Sequence, residues 1–169
     1  GHSFGAMIAL DMAARHPAMV TGVAALNAIY RRSAPAKTAM RARADSLDGM
    51  TATDPTVPLM RWFGKDASLE RAACHTWLTN VTPAGYRAAY RVFADEDGPA
   101  DCDLSGLTCP ALFLTGELEQ NSTPAMSDKM AALAPDGQAE IVAQAAHMLP
   151  MTHVGEVNRI LAAFLARTA

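Results

Sequence analysis

Charge is scarce in this chain: 18% of its 169 residues are Asp, Glu, Lys or Arg, and the formal net charge is -3. Binding to nucleic acid or to an anionic membrane needs clustered Lys and Arg, and no basic patch is present, so neither partner is expected. Cysteine is sparser still. Cys74, Cys102 and Cys109 are odd in number and lack CxxC or metal-ligand spacing, which argues against a disulfide framework and for a reducing cytoplasm. No apolar run approaches the roughly 18 residues of a membrane span. His2, His16 and His75 have no spacing that suggests a metal, so no metal and no other cofactor is expected. The first residue is Gly rather than Met, so the sequence does not bear on a signal peptide. Repeats and low-complexity segments are also missing.

What is present is a chain of 50% hydrophobic residues, and its apolar runs alternate in type. Ala6 to His16 is rich in helix formers, and Pro17 stops it. Val20 to Leu26 is apolar nearly throughout, as expected of a parallel strand covered on both faces, and Ala111 to Thr115 reads the same way. Ala139 to Val142 is a weaker third strand. Between the last two, Thr123 is placed to cap a helix with Pro124 in its first turn and Met126, Met130 and Leu133 as its buried stripe. In the last helix Val157, Ile160, Leu161, Phe164 and Leu165 recur at the spacing of one helical face. The order of strand and helix is that of an α/β fold.

From about Arg31 to Gly98 the alternation stops. Segments at Ala36 to Leu47, Pro55 to Phe63, Leu69 to Leu78 and Pro83 to Ala94 read as helices separated by Gly, Pro and Asp. In the last of them Thr82 stands as cap, and Tyr86, Ala89, Tyr90 and Phe93 share a face. The expected organisation is a core of residues 1–30 and 99–169, interrupted by an all-helical insertion at 31–98.

Three short segments carry the chemistry. Gly1-His2-Ser3-Phe4-Gly5 fits the Gly-x-Ser-x-Gly pattern, in which a sharp strand-to-helix turn lifts a serine clear of the backbone. Leu112-Phe113-Leu114-Thr115-Gly116 is a strand that ends in Gly and is followed by Glu117 and Glu119. Gln144-Ala145-Ala146-His147-Met148-Leu149-Pro150 puts a histidine in the loop after the third strand, 144 residues after Ser3.

Together these segments resemble the α/β-hydrolase superfamily of the serine ester hydrolase type, in the chain order Ser, acid, His. The resemblance implies the C-terminal part of such a sheet, about three parallel strands with flanking helices. It also implies a longer parent, with the elbow strand and a second oxyanion donor upstream of residue 1. Roughly 200 to 250 residues would be usual for a whole domain of this kind. Residues 31–98 then correspond to a helical cap; the bland alternative is a set of connecting helices.

By the same resemblance Ser3 is the nucleophile and His147 the general base, and the Phe4 N–H is an oxyanion donor. Glu119 orients the imidazole where Asp is commoner. Glu117, or a neutral orienting role for Asn27, or no third member at all, remain open. Ala146 stands where the family often has Gly. His2, Trp62, Phe63, Trp77, Tyr86, Tyr90 and Met148 are candidate pocket residues, with Met50 and Met60 beside them in the cap, and they suggest a small, largely apolar ester or acyl substrate. His153 reads as structural. Lactone opening, C–C bond hydrolysis and cofactor-free perhydrolysis use the same triad, and a non-catalytic binding member of the fold is a further alternative. A haloalkane-type dehalogenase is disfavoured, because its nucleophile would be Asp where this chain has Ser3. The oligomeric state is not legible.

Overall fold

The computed structural model describes residues 1–168. The chain divides into two compact units, residues 1–31 with 98–169 and residues 32–97.

The first unit is built on three parallel strands, β1 (Val23–Leu26), β2 (Ala111–Gly116) and β3 (Gly137–Val142), in the spatial order β1-β2-β3. The register pairs Val23 with Ala111 and Leu26 with Leu114 on one side of β2, and Ala111 with Gly137 and Gly116 with Val142 on the other. Side chains of successive strand residues point to opposite faces, and β2 shows the consequence. Ala111 and Phe113 join a cluster with Ala6, Leu10, Val23, Ala25, Leu104 and Met130, while Leu112 and Leu114 join Leu26, Val142, Leu149, Val157, Ile160 and Phe164. All six β2 residues are buried, which explains why this run has no polar alternation.

The first face is covered by α1 (Phe4–Arg15), the five-residue α6 (Asp101–Ser105) and α7 (Pro124–Leu133). The second is covered by α8 (Leu149–Thr152) and α9 (Val154–Thr168). The second unit holds four helices, α2 (Ala34–Asp45), α3 (Thr56–Phe63), α4 (Leu69–Asn80) and α5 (Pro83–Asp95), and no strand among its residues. Ser33 and Ser68 cap α2 and α4 through their hydroxyls.

Several local expectations differ from the structure. The first strand starts at Val23 instead of Val20, because Pro17–Met19 forms a 3-10 turn to which the Val20 N–H is tied through the Pro17 carbonyl. Thr82 and Thr123 stand at the N-cap positions, but neither hydroxyl makes a capping hydrogen bond; the Pro at the first helical position of each favours the start through its fixed φ instead. Leu165 lies 61% exposed, beyond the face of α9 that Val157, Ile160 and Phe164 bury. On α5, Ala89 is exposed while Tyr86, Tyr90 and Phe93 pack on one another. The short α6 and α8 were not anticipated at all.

Candidate active site

The three strands run the same way, so their C-terminal ends open on one side of the sheet, where α/β folds place their ligands. Ser3 lies beside β1. The Ser3 N–H donates to the Leu26 carbonyl at 2.8 Å and the Leu26 N–H donates to the Gly1 carbonyl at 2.9 Å, so residues 1–3 pair with β1 in parallel before turning into α1. The turn is strained. Ser3 has φ 56° and ψ -120°, in a region that a side chain rarely adopts. Gly1 has a steric reason to be Gly, since a Cβ there would lie 2.2 Å from the Gly5 carbonyl oxygen. Gly5 itself has open space around it, so among the described residues the second Gly of the motif answers to no clash. Phe4 opens α1, which places its backbone N–H in the first turn, at the end of the helix that favours negative charge.

Glu119 stands three residues past β2 and His147 five past β3, and the two meet: His147 Nδ1 lies 2.6 Å from Glu119 Oε2. The Glu119 side chain is 1% exposed. Burial works against its charge, but the His147 ring, together with the N–H groups of Asn121 and Ser122, outweighs it and holds the carboxyl below its ordinary range. A carboxylate only accepts, so Nδ1 carries the proton in the neutral ring and the lone pair sits on Nε2.

Glu117 has a different place. Its Oε2 accepts from the Gln144 N–H at 2.9 Å and from the Gln144 side-chain amide at 3.2 Å. Gln144 has φ 55°, and the carboxylate secures that strained turn three residues before His147. From the same strand end the Leu118 N–H donates to the Ala145 carbonyl at 2.8 Å. Gly116 allows the close approach, because a Cβ on it would lie 2.3 Å from the Ala145 oxygen.

His2 and Asn27 converge on one atom. His2 Nε2 lies 2.8 Å from the His147 carbonyl oxygen and Asn27 Nδ2 donates to that oxygen at 2.7 Å. The carbonyl can only accept, so Nε2–H is the tautomer of His2. Its ring stands 4.9 Å from the His147 ring, centre to centre. Desolvation, reinforced by His147, pulls its pKa down to about 4, so His2 is neutral at pH 7. Met148 is half-buried at the start of α8.

The remaining candidate pocket residues belong to the helical unit. Trp62 and Phe63 are half-buried on α3, Trp77 is 60% exposed on α4, and Tyr86 and Tyr90 stack at 5.7 Å between centroids on α5. Met50 is exposed and Met60 on α3 is just over one third exposed. No group of His, Cys, Asp or Glu suited to a metal is found among the described residues, and no described helix is long and apolar enough to cross a membrane.

The family model of the alpha/beta hydrolase family matches residues 1–160. The chain belongs to the alpha/beta hydrolase family. Family and α/β fold thus stand as the three motifs led one to expect. Among curated relatives, the (E)-2-((N-methylformamido)methylene)succinate hydrolase of Acinetobacter baylyi is 37% identical over 171 residues, which is 99% of this chain and 64% of that protein. The chain therefore spans just under two thirds of its relative's length. Among solved structures, a thermophilic esterase from Thermogutta terrifontis aligns with TM-score 0.83 at 22% identity, over 99% of this chain and 64% of the other. The enol-lactonase from Burkholderia xenovorans LB400 aligns with TM-score 0.78 at 23% identity, over 98% and 64%. Both share the fold.

Proposed function

We propose that the protein is a serine hydrolase that cleaves a carboxylic ester or related acyl bond through a Ser3–His147–Glu119 triad. The observation that carries this reading is the 2.6 Å pair between His147 and a fully buried Glu119, at the end of the sheet where the strained Ser3 turn also lies. His147 Nε2 takes the Ser3 hydroxyl proton as Oγ forms a bond to the substrate carbonyl carbon, and the Phe4 N–H supports the oxyanion. Collapse breaks the bond to the leaving group, which receives that proton. A water deprotonated by His147 then hydrolyses the acyl-enzyme and returns Ser3. Glu119 stabilises the imidazolium in both halves without taking a proton.

In this reading residues 31–98 act as the cap insertion, which their all-helical make-up and their place between β1 and β2 support. The aromatic residues of that segment led us to expect an apolar substrate. The 37% relative argues for a more polar one, since its named substrate is a succinate, with two carboxylates, carrying an N-methylformamido group. An amide or ester of a small carboxylate-bearing acid is therefore the favoured substrate class.

The test is turnover of short-chain p-nitrophenyl esters and of N-formyl enamine dicarboxylates by the intact protein and its Ser3→Ala variant. Ser3→Ala should be folded and lose nearly all turnover, and a fluorophosphonate should label Ser3 alone. A folded Ser3→Ala protein with parental turnover would remove Ser3 as nucleophile.

A further inference from the structure

The His147 main-chain carbonyl accepts hydrogen bonds from two side chains that approach from different elements, His2 from the serine turn and Asn27 from the end of β1. We propose that His2 and Asn27 form a two-donor clamp that positions the general base, with Thr115 as the residue that sets the clamp; this rests on the triad reading above. The carbonyl and the ring branch from the same Cα. Fixing the peptide plane at 147 therefore fixes the pivot from which the imidazole reaches Glu119 on one side and the serine on the other.

Asn27 is built into its place. It is 1% exposed, and its φ of 52° lies in the left-handed region, which Asn tolerates better than most residues. Its own N–H donates to the Leu114 carbonyl at 2.8 Å. An amide has two ends, and only one of them can donate to the carbonyl. The other, Oδ1, lies 2.9 Å from the Thr115 hydroxyl, which donates to it and thereby fixes the amide with Nδ2 toward His147. The single hydroxyl proton is shared with the Ser122 carbonyl at 2.8 Å, in the turn whose N–H groups hold the Glu119 carboxylate. Acid turn, β2 end, β1 end and base loop are joined through Ser122, Thr115, Asn27 and His147, and all but His147 are at most 1% exposed.

A buried polar chain of this kind costs stability unless its groups are paired, and here the Ser122 carbonyl, the Thr115 hydroxyl and the Asn27 amide are paired with one another and with His147, while the Ser122 hydroxyl beside them has no partner. Asn27 and Thr115 are positioning residues. They touch neither substrate nor reacting atoms.

The experiment uses Asn27→Asp, Thr115→Val and Thr115→Ser in the intact protein, with a p-nitrophenyl ester for kinetics and the far-downfield proton resonance of His147 Nδ1–H as a readout independent of turnover. Asn27→Asp keeps shape and volume but sets an acceptor against the carbonyl. A displacement of the base by about 1 Å predicts a fall in kcat of about 100-fold for Asn27→Asp and about tenfold for Thr115→Val, with KM within about twofold. Thr115→Ser restores the hydroxyl and should restore most of kcat. The Nδ1–H resonance should shift or broaden in Asn27→Asp and Thr115→Val and return in Thr115→Ser.

Parental kcat and an unshifted resonance in folded Asn27→Asp would overturn the clamp while leaving the triad intact, provided Ser3→Ala is dead. If Ser3→Ala turns over normally, the triad reading falls, and the resonance alone then decides the clamp, an unchanged signal overturning it. Should Asn27→Asp fail to fold, the Thr115 pair decides. Equal kcat and equal resonance in Val and Ser variants overturn the proposal.

Discussion

Phe113, Leu112 and Leu114 of the strand unit are wholly buried, whereas in the helical unit Leu59 is the one large side chain among the described residues to reach that state. Both units are rich in alanine and helix, so composition is not the cause. The difference lies in layering. A strand covered on both faces hides every side chain it carries, while an amphipathic helix with one neighbour hides one stripe and leaves the rest in water. Arg32 shows how the helical unit compensates. It is 6% exposed, donates to the Phe93 and Glu96 carbonyls at the end of α5, and lies 4.5 Å over the Phe93 ring. The strand unit, by contrast, places four of its buried polar residues at the strand ends, where Asn27, Thr115, Glu119 and Ser122 meet, with Ser127 apart on α7. One unit is a covered frame whose buried polar groups gather at the strand ends; the other is a set of helices, each left partly in water.

The largest expected effect tests whether the frame is catalytic. Glu119→Gln preserves the shape of the buried pair but removes the charge opposite the imidazolium. Turnover should fall by about four orders of magnitude, as for the corresponding change in serine triads, while Glu117→Gln, which only loosens the Gln144 turn, should be mild. Near-parental turnover for Glu119→Gln would show that the frame holds a structural ion pair and that the acid lies elsewhere.

Next in size is packing. Phe113→Ala, in the middle of β2, should cost about 3 to 5 kcal/mol, and Leu59→Ala should fall near the lower end of the 2 to 5 kcal/mol range, because a cavity closes more easily where the surroundings can relax. Denaturant unfolding of both variants is the measurement. Equal losses would mean that the helical unit is as tightly interlocked as the sheet, and the contrast drawn between them would fail.

Much of this was legible in the chain. Ser3, Glu119 and His147 stand out as candidates because each follows a recognisable strand end or turn, and the runs at Val23–Leu26 and Ala111–Gly116 read as strands because Thr115 is the one polar residue in them. The clamp was not legible. Asn27, Thr115 and Ser122 are separated by up to 95 positions, and their meeting depends on the register that sets Leu26 beside Leu114. Asn27 stood open as a neutral orienter of the imidazole ring, but nothing in the sequence pointed its amide at the His147 main-chain carbonyl. His2 was expected to line a pocket, and a sequence cannot say that a neighbouring histidine's carbonyl will take its N–H. Thr82 and Thr123 are the N-caps that their place before Pro indicates, but a Thr-Pro start favours the helix through the fixed φ of Pro without any hydroxyl bond.

The smallest effect concerns pH and belongs to the strand unit alone. His2 has a pKa of about 4 in the folded protein against 6.5 unperturbed, because burial and the His147 ring oppose its charge. A histidine held neutral by folding binds its proton more readily in the unfolded chain. As pH falls from 6.5, the unfolded state gains a proton that the folded state refuses until about pH 4, and stability is withdrawn across that window, by roughly 3 kcal/mol in all. Above 6.5 the group contributes no slope. His2→Gln keeps an amide donor for the His147 carbonyl but does not titrate, so its stability should exceed the parent's by a margin that grows as pH drops from 6.5 to 4 and is constant above 7. Glu119, with a depressed pKa, withdraws its own contribution only below the ordinary carboxylate range, in both proteins alike, and cancels in the comparison. Urea unfolding of the two proteins at half-unit steps from pH 4 to 8 makes the measurement. Parallel curves between 6.5 and 4 would mean that His2 takes up its proton in the folded state as easily as in water, and so is not the buried neutral donor that its 2.8 Å contact with the His147 carbonyl describes.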